Sequence, residues 1–184
     1  TSNGCTSTDF LDVAIVQPAI VFNQSIYNIC PGDNASVGIT PNTDYSYVWN
    51  TGTQNTPNVT VPGVAGTTKN IIVTVTDKLG CTNTDTVPVV TYNDVVVNLT
   101  IGNKPLTDLT GTIDICLGDT IFNKSGLQNY RWYFNGQPLT QWDGLNYMIP
   151  AQGGNYSLEA KSADGCSATQ NLTIKVAPLP PVDI

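Results

Sequence analysis

Tyr156-Ser157-Leu158-Glu159-Ala160, then Asp164-Gly165-Cys166, then Leu172-Thr173-Ile174-Lys175-Val176: apolar and polar residues alternate, a turn pair intervenes, and the alternation resumes. Period two puts every second side chain on one face, so each run reads as a strand with one buried side. Asp-Gly between two such runs marks a hairpin. The same alternation recurs in Val73-Thr74-Val75-Thr76 and in Val95-Val96-Val97-Asn98-Leu99-Thr100-Ile101. No window of similar length carries the spacing of an amphipathic helix. Short strands separated by Gly, Pro, Asn and Asp turns give an all-β fold of the sandwich type.

Composition agrees and excludes several chemistries. The 184 residues are 40% apolar and only 11% charged, with 7 Lys+Arg against 14 Asp+Glu, five Cys and no His. Glu159 is the one glutamate and Arg131 the one arginine. Asp favours turns over helix interiors, which fits a β fold. Binding to nucleic acid or to an anionic membrane surface needs clustered Lys and Arg, and none is present. Without His there is no Ser-His-Asp or Cys-His nucleophile pair and no usual zinc site. No stretch reaches the roughly 20 apolar residues that span a bilayer as a helix. The expectation is a chain without catalytic, cofactor or metal residues and without membrane insertion.

The sequence repeats internally. Cys30-Pro31-Gly32-Asp33 aligns with Cys116-Leu117-Gly118-Asp119, each preceded by an isoleucine; Tyr47-Val48-Trp49 aligns with Tyr130-Arg131-Trp132; Asp77-Lys78-Leu79-Gly80-Cys81 aligns with Ala163-Asp164-Gly165-Cys166. A further copy of the closing element, Asn3-Gly4-Cys5, precedes another alternating run. The chain therefore reads as 1–17, the last strand of a preceding repeat; 18–91, a first repeat; 92–178, a second; and 179–184, the start of a link to another. Each repeat is large enough for a small sandwich that benefits from a covalent staple. Val87-Pro88-Val89-Val90-Thr91-Tyr92-Asn93-Asp94 joins the repeats without a Gly/Ser linker, which predicts limited freedom between them.

Within the second repeat the order of elements resembles an immunoglobulin-like sandwich, with Trp132 on the central strand and Tyr156 placed for a tyrosine corner. In the first repeat Ile71 takes the position of Tyr156, and Gly66-Thr67-Thr68-Lys69-Asn70 reads as a looser segment. The Cys-x-Gly-Asp, Tyr-x-Trp and Gly-Cys elements in tandem are similar to the immunoglobulin-like, PKD-like and SprB-type repeats of giant secreted adhesins of gliding Bacteroidetes. The resemblance implies tandem immunoglobulin-like domains, export by type IX secretion, display at the cell surface, and a role in adhesion or gliding motility. The partners it implies are neighbouring repeats of the same chain and an external surface or polysaccharide. The alternative reading is a carbohydrate-binding accessory module of a secreted enzyme.

Repeated Cys spacing without His points to disulfides in an oxidising, extracellular setting. Two connectivities stand open. Pairing within repeats joins Cys30 to Cys81 and Cys116 to Cys166, and leaves Cys5 with a partner outside the sequence. Strict immunoglobulin topology opposes this, because Cys30 and Cys81 then lie at opposite poles. A six-residue strand is about 20 Å long, and a disulfide needs Cα atoms within about 7 Å. The second scheme joins Cys30 to Cys166.

Other candidates are fewer. Trp49 and Trp132 read as core. Trp142 and Tyr147, in the loop-like Gln141-Trp142-Asp143-Gly144-Leu145-Asn146-Tyr147, are candidate ligand contacts, since aromatic rings stack on sugars and anchor partners. The aspartates sit at turns, where Asp caps its own backbone. Their hard oxygens at loops suit calcium, the one candidate ion, though there is no EF-hand run to hold it. The Bacteroidetes resemblance carries an O-glycosylation consensus of Asp-Ser/Thr plus an aliphatic residue. Asp85-Thr86-Val87 and Asp119-Thr120-Ile121 match it, making Thr86 and Thr120 candidate glycan sites.

Overall fold

The computed structural model describes residue 4 and residues 16–53, 55–102, 104–106 and 111–178. The expectations for 1–17, Cys5 included, and for 179–184 fall almost wholly outside these. The chain divides into two compact units. One holds the chain up to Ile29 with Asp33–Gly63 and Thr68–Val90; the other holds Cys30–Gly32, Val64–Thr67 and the chain from Thr91 onward.

Among the described residues the first unit has six strands: β1 (Tyr27–Ile29), β2 (Asn34–Gly38), β3 (Ser46–Trp49), β4 (Asn58–Pro62), β5 (Thr68–Thr76) and β6 (Thr82–Thr91). They form one sheet in the order β1-β6-β5-β3 and a second pairing β2 with β4, extended by an antiparallel bridge from Phe22 to Ile39. The chain changes sheet between β1 and β2, and again before β3, before β4 and before β5, as strands alternate between the two sheets of an immunoglobulin-like sandwich. Alternation decides what lies between the sheets. Ala35 and Val37 of β2 and Val59 and Val61 of β4 meet Tyr47 and Trp49 of β3, Val73 and Val75 of β5, and Val87 and Val89 of β6. The segment expected to be loose is not: Thr68, Lys69 and Asn70 already pair with Val90, Val89 and Pro88. β-branched Thr68 and the alternating run behind it extend the strand back to the turn.

Among the described residues the second unit has nine strands: β7 (Leu99–Ile101), β8 (Lys104–Pro105), β9 (Thr112–Cys116), β10 (Ile121–Asn123), β11 (Gln128–Phe134), β12 (Gln137–Pro138), β13 (Tyr147–Met148), β14 (Gly154–Lys161) and β15 (Ser167–Ala177). A 3-10 turn, Thr140–Trp142, precedes β13. The sheets run β13-β10-β7-β8 and β12-β11-β14-β15-β9, with β9 parallel to β15 and the other pairs antiparallel. Its core holds Leu99, Ile113, Ile115, Ile121, Trp132, Met148, Leu158, Leu172 and Ile174. Trp132 is 0% exposed, and replacing such a ring by Ala costs about 3–5 kcal/mol. The architecture is all-β, of the immunoglobulin-like sandwich type. Among the described residues no helix is long and apolar enough to cross a membrane.

The repeated motifs correspond to repeated hydrogen bonds. In Tyr-x-Trp, the Tyr47 hydroxyl accepts from the Asn42 N–H at 2.8 Å and donates to the Asn42 carbonyl at 2.9 Å, while the Tyr130 hydroxyl donates to the Leu127 carbonyl. Both tyrosines thus tie down the loop entering the central strand. The tryptophans hold the loop on the opposite side. The indole Nε1 of Trp49 donates to Thr56 O at 2.9 Å, and that of Trp132 to Leu145 O at 3.0 Å. The hairpin turns match as well: Asp77 N–H donates to Cys81 O and Gly80 N–H to Asp77 O, as Ser162 N–H does to Cys166 O and Gly165 N–H to Ser162 O. Gly80 and Gly165 have φ of 84° and 88°, the left-handed step that closes a three-residue hairpin loop. The tyrosine corner belongs to the second unit, where Tyr156 donates to Gln152 O at 2.9 Å; Ile71 fills the matching place in the first with apolar bulk, 3% exposed.

Candidate functional site

Cys30 follows β1 and Cys116 ends β9, so both leave the same kind of strand and open a turn whose glycine, Gly32 or Gly118, has φ of 82° or 93°. Cys81 and Cys166 close the two matching hairpins. Of these four, Cys30 and Cys166 are bonded, with Cα atoms 5.5 Å apart and a sequence separation of 136. Cys30–Gly32 clusters with the second unit, so the bond lies inside that unit although Cys30 comes from the first sequence repeat. The pairing within repeats is not formed: Cys81 is a half-buried free thiol and Cys116 an exposed one. The physical reason is the one the topology supplies. Cys30 lies at the β1–β2 connection and Cys81 at the β5–β6 hairpin, and the hairpin cysteine that meets Cys30 belongs to the following repeat.

Trp142 is half-buried and packs against the second unit's core. Its ring meets Tyr147 edge-on at 5.8 Å between centroids, and Tyr147 in turn lies 5.8 Å from Phe122, its partner across β10–β13. The two candidate contact residues therefore form one aromatic cluster at the sheet margin and not a free loop. Tyr133 and Phe134, their neighbours in sequence, are engaged elsewhere. Tyr133 donates to the Glu159 carboxylate at 3.2 Å, and Phe134 packs on Tyr156 at 4.8 Å.

Beside Asp143 and Gly144 lies an open depression of about 380 Å³, lined also by Asn129, Tyr130, Arg131, Glu159 and Lys161. It brings the only arginine, the only glutamate, a lysine and an aspartate to one place. Arg131 faces Glu159 across the β11–β14 ladder, and both lie on the outward alternates of strands whose inward residues are Trp132 and Leu158. Sequence reasoning missed these residues. The period-two alternation already placed Arg131 and Glu159 on outward faces, but the pairing of the two strands was needed to bring them together. Burial pushes the Tyr130 phenol above its ordinary value, keeping it neutral.

Thr86 is exposed on β6, between inward Val87 and the strand's solvent side, and its N–H is capped by the Asp85 side chain at 2.7 Å. Thr120 is half-buried, one residue before Ile121 of the core. The aspartates at turns cap backbone. Asp77 accepts from the N–H groups of Leu79 and Cys81 at 2.9 and 2.8 Å, and Asp119 accepts from Cys116 N–H at 2.8 Å. Among the described residues no three His, Cys, Asp or Glu lie together as metal ligands would.

No protein-family model and no curated protein matches the chain. Solved structures do. The N-terminal Ig1-2 module of the Drosophila receptor protein tyrosine phosphatase DLAR is 15% identical, with a TM-score of 0.34 over 88% of this chain and 100% of that one. The fibronectin(III)-like modules of Clostridium thermocellum CbhA are 13% identical, with a TM-score of 0.38 over 87% and 95%. The insect immune protein hemolin is 12% identical, with a TM-score of 0.38 over 90% of this chain and 49% of hemolin, so the chain spans about half of hemolin's length.

Proposed function

We propose that this chain is a non-enzymatic, extracellular adhesive segment in which immunoglobulin-like repeats follow one another and are fastened in series by disulfides. The observation that supports the reading is the Cys30–Cys166 bond, which ties a cysteine of one sequence repeat to the hairpin cysteine of the next. Such a bond persists in an oxidising compartment and transmits load without relying on packing alone. The parent protein, on this reading, is a large cell-surface adhesin of the kind the motifs resemble, exported by type IX secretion and used for surface attachment and gliding. Its O-glycan sits on Thr86, which is exposed, ahead of half-buried Thr120; intact-mass analysis of native protein reads the added sugar directly. The test of function uses the native host. Surface biotinylation of intact cells labels this segment, and deletion of its reading frame abolishes attachment. Labelling only after lysis, or attachment that survives deletion, overturns the proposal.

A second reading has its own support, the depression lined by Tyr130 together with Arg131, Asp143, Glu159 and Lys161. Charged groups that accept and donate beside an aromatic side chain suit polysaccharide hydroxyls. Saturable polysaccharide binding lost in Arg131→Ala would favour the accessory-module reading; binding absent at millimolar sugar removes it.

A further inference from the structure

We propose that exposed Cys116 and half-buried Cys81 are the two halves of one further bond of the same kind, formed head to tail between copies of this repeat pair. The proposal deepens the array reading and rests on it for its biological setting, while its chemistry rests on the bond already present.

Four correspondences carry it. Cys116 stands where Cys30 stands, each at the end of an edge strand and before a turn with a left-handed glycine. Cys81 stands where Cys166 stands, each closing a three-residue hairpin with the same two backbone hydrogen bonds. The bond that exists runs from a strand-end cysteine to a hairpin cysteine one repeat later. Among the described residues the two thiols that remain free are one of each type, Cys116 a strand-end cysteine and Cys81 a hairpin cysteine. If the rule of the formed bond is carried forward, Cys116 requires a hairpin cysteine from a following repeat. Carried backward, Cys81 requires a strand-end cysteine from a preceding one. A second copy of the chain offers both. Because the two surfaces differ, the contact is heterologous and does not close on itself, so copies add in a line.

The bond forms by exchange with a small-molecule disulfide such as oxidised glutathione. One protein thiolate attacks a glutathione sulfur, making a mixed disulfide and expelling one glutathione thiolate. The second protein thiolate attacks the protein sulfur of that mixed disulfide and expels the other. Two protein sulfurs are oxidised, one glutathione disulfide is reduced to two thiols, and the two protein protons pass to these.

The test uses the full chain with Cys5→Ser, so that only the two thiols compete. Under oxidised glutathione this protein forms a ladder of oligomers on non-reducing gels. Adding Cys81→Ser or Cys116→Ser leaves each variant monomeric. Mixing the two variants restores a dimer, and its tryptic map contains a Cys116–Cys81 peptide. Dimers formed as readily by either variant alone, a monomer with an internal Cys81–Cys116 bond, or a mixture that stays monomeric overturns the proposal. The surface-labelling experiment is independent of this outcome. A restored dimer with no surface labelling would sink the cell-surface setting and keep the bond.

Discussion

A tethered chain pulled from its ends reads the connectivity as a length. The Cys30–Cys166 bond spans 136 residues and holds its Cα atoms 5.5 Å apart. With the bond intact, force passes through the sulfurs and the residues between 30 and 166 stay out of the extension. Cutting the bond releases them, at about 3.3–3.6 Å per residue, or about 45–49 nm of added contour length. Pairing within repeats gives a different signature, because Cys30–Cys81 and Cys116–Cys166 enclose 51 and 50 residues. Reduction would then release two separate increments of about 17–18 nm each. The assay is single-molecule stretching of the chain between terminal handles, with and without reductant, on wild type and Cys30→Ser. The expected result is one hidden length of about 45–49 nm that appears on reduction and is already present in Cys30→Ser. Equal extension with and without reductant, or two short increments, refutes the reasoning.

Three further outcomes follow from local geometry. Tyr47 makes two hydrogen bonds through its hydroxyl and Tyr156 one, so Tyr47→Phe lowers stability by about 2 kcal/mol and Tyr156→Phe by about 1 kcal/mol in urea unfolding followed by tryptophan fluorescence; equal losses would contradict the hydrogen-bond assignments. A Cβ on Gly154 would sit 2.4 Å from Cε2 of Phe134, at φ of 153°, so Gly154→Ala costs about 1–3 kcal/mol, and an unchanged midpoint would show that the ring is free to move. Burial raises the phenols of Tyr130 and Tyr156 above the ordinary 10.0, so their neutral forms favour folding below that pH and the contribution is lost as pH climbs through the raised values; stability measured from pH 9 to 12 falls, and Tyr156→Phe flattens the fall.

Much of this fold is legible along the chain because it is carried by short-range pattern. Alternation in 73–76 and 172–176 placed Val73, Val75, Leu172 and Ile174 inward, and the structure buries all four. Tyr-x-Trp and Gly-Cys are local motifs whose hydrogen bonds stay within 13 residues along the chain, and both recur in the two units. The candidate site is less legible because it depends on which distant residues meet. Cys30 has chemically identical candidates in Cys81 and Cys166, and only the placement of strand ends distinguishes them. Trp142 reads as a loop aromatic because nothing in its own sequence shows Tyr147 and Phe122 waiting beside it. Arg131 and Glu159 lie 28 residues apart, and the β11–β14 register makes them neighbours.

The most direct test is disulfide mapping of the oxidised protein, with free thiols blocked before unfolding and digestion carried out without reductant. A single cross-linked peptide containing Cys30 and Cys166, with Cys81 and Cys116 recovered as blocked thiols in freshly purified monomer, is the expected result. Peptides joining Cys30 to Cys81 and Cys116 to Cys166 would contradict the account.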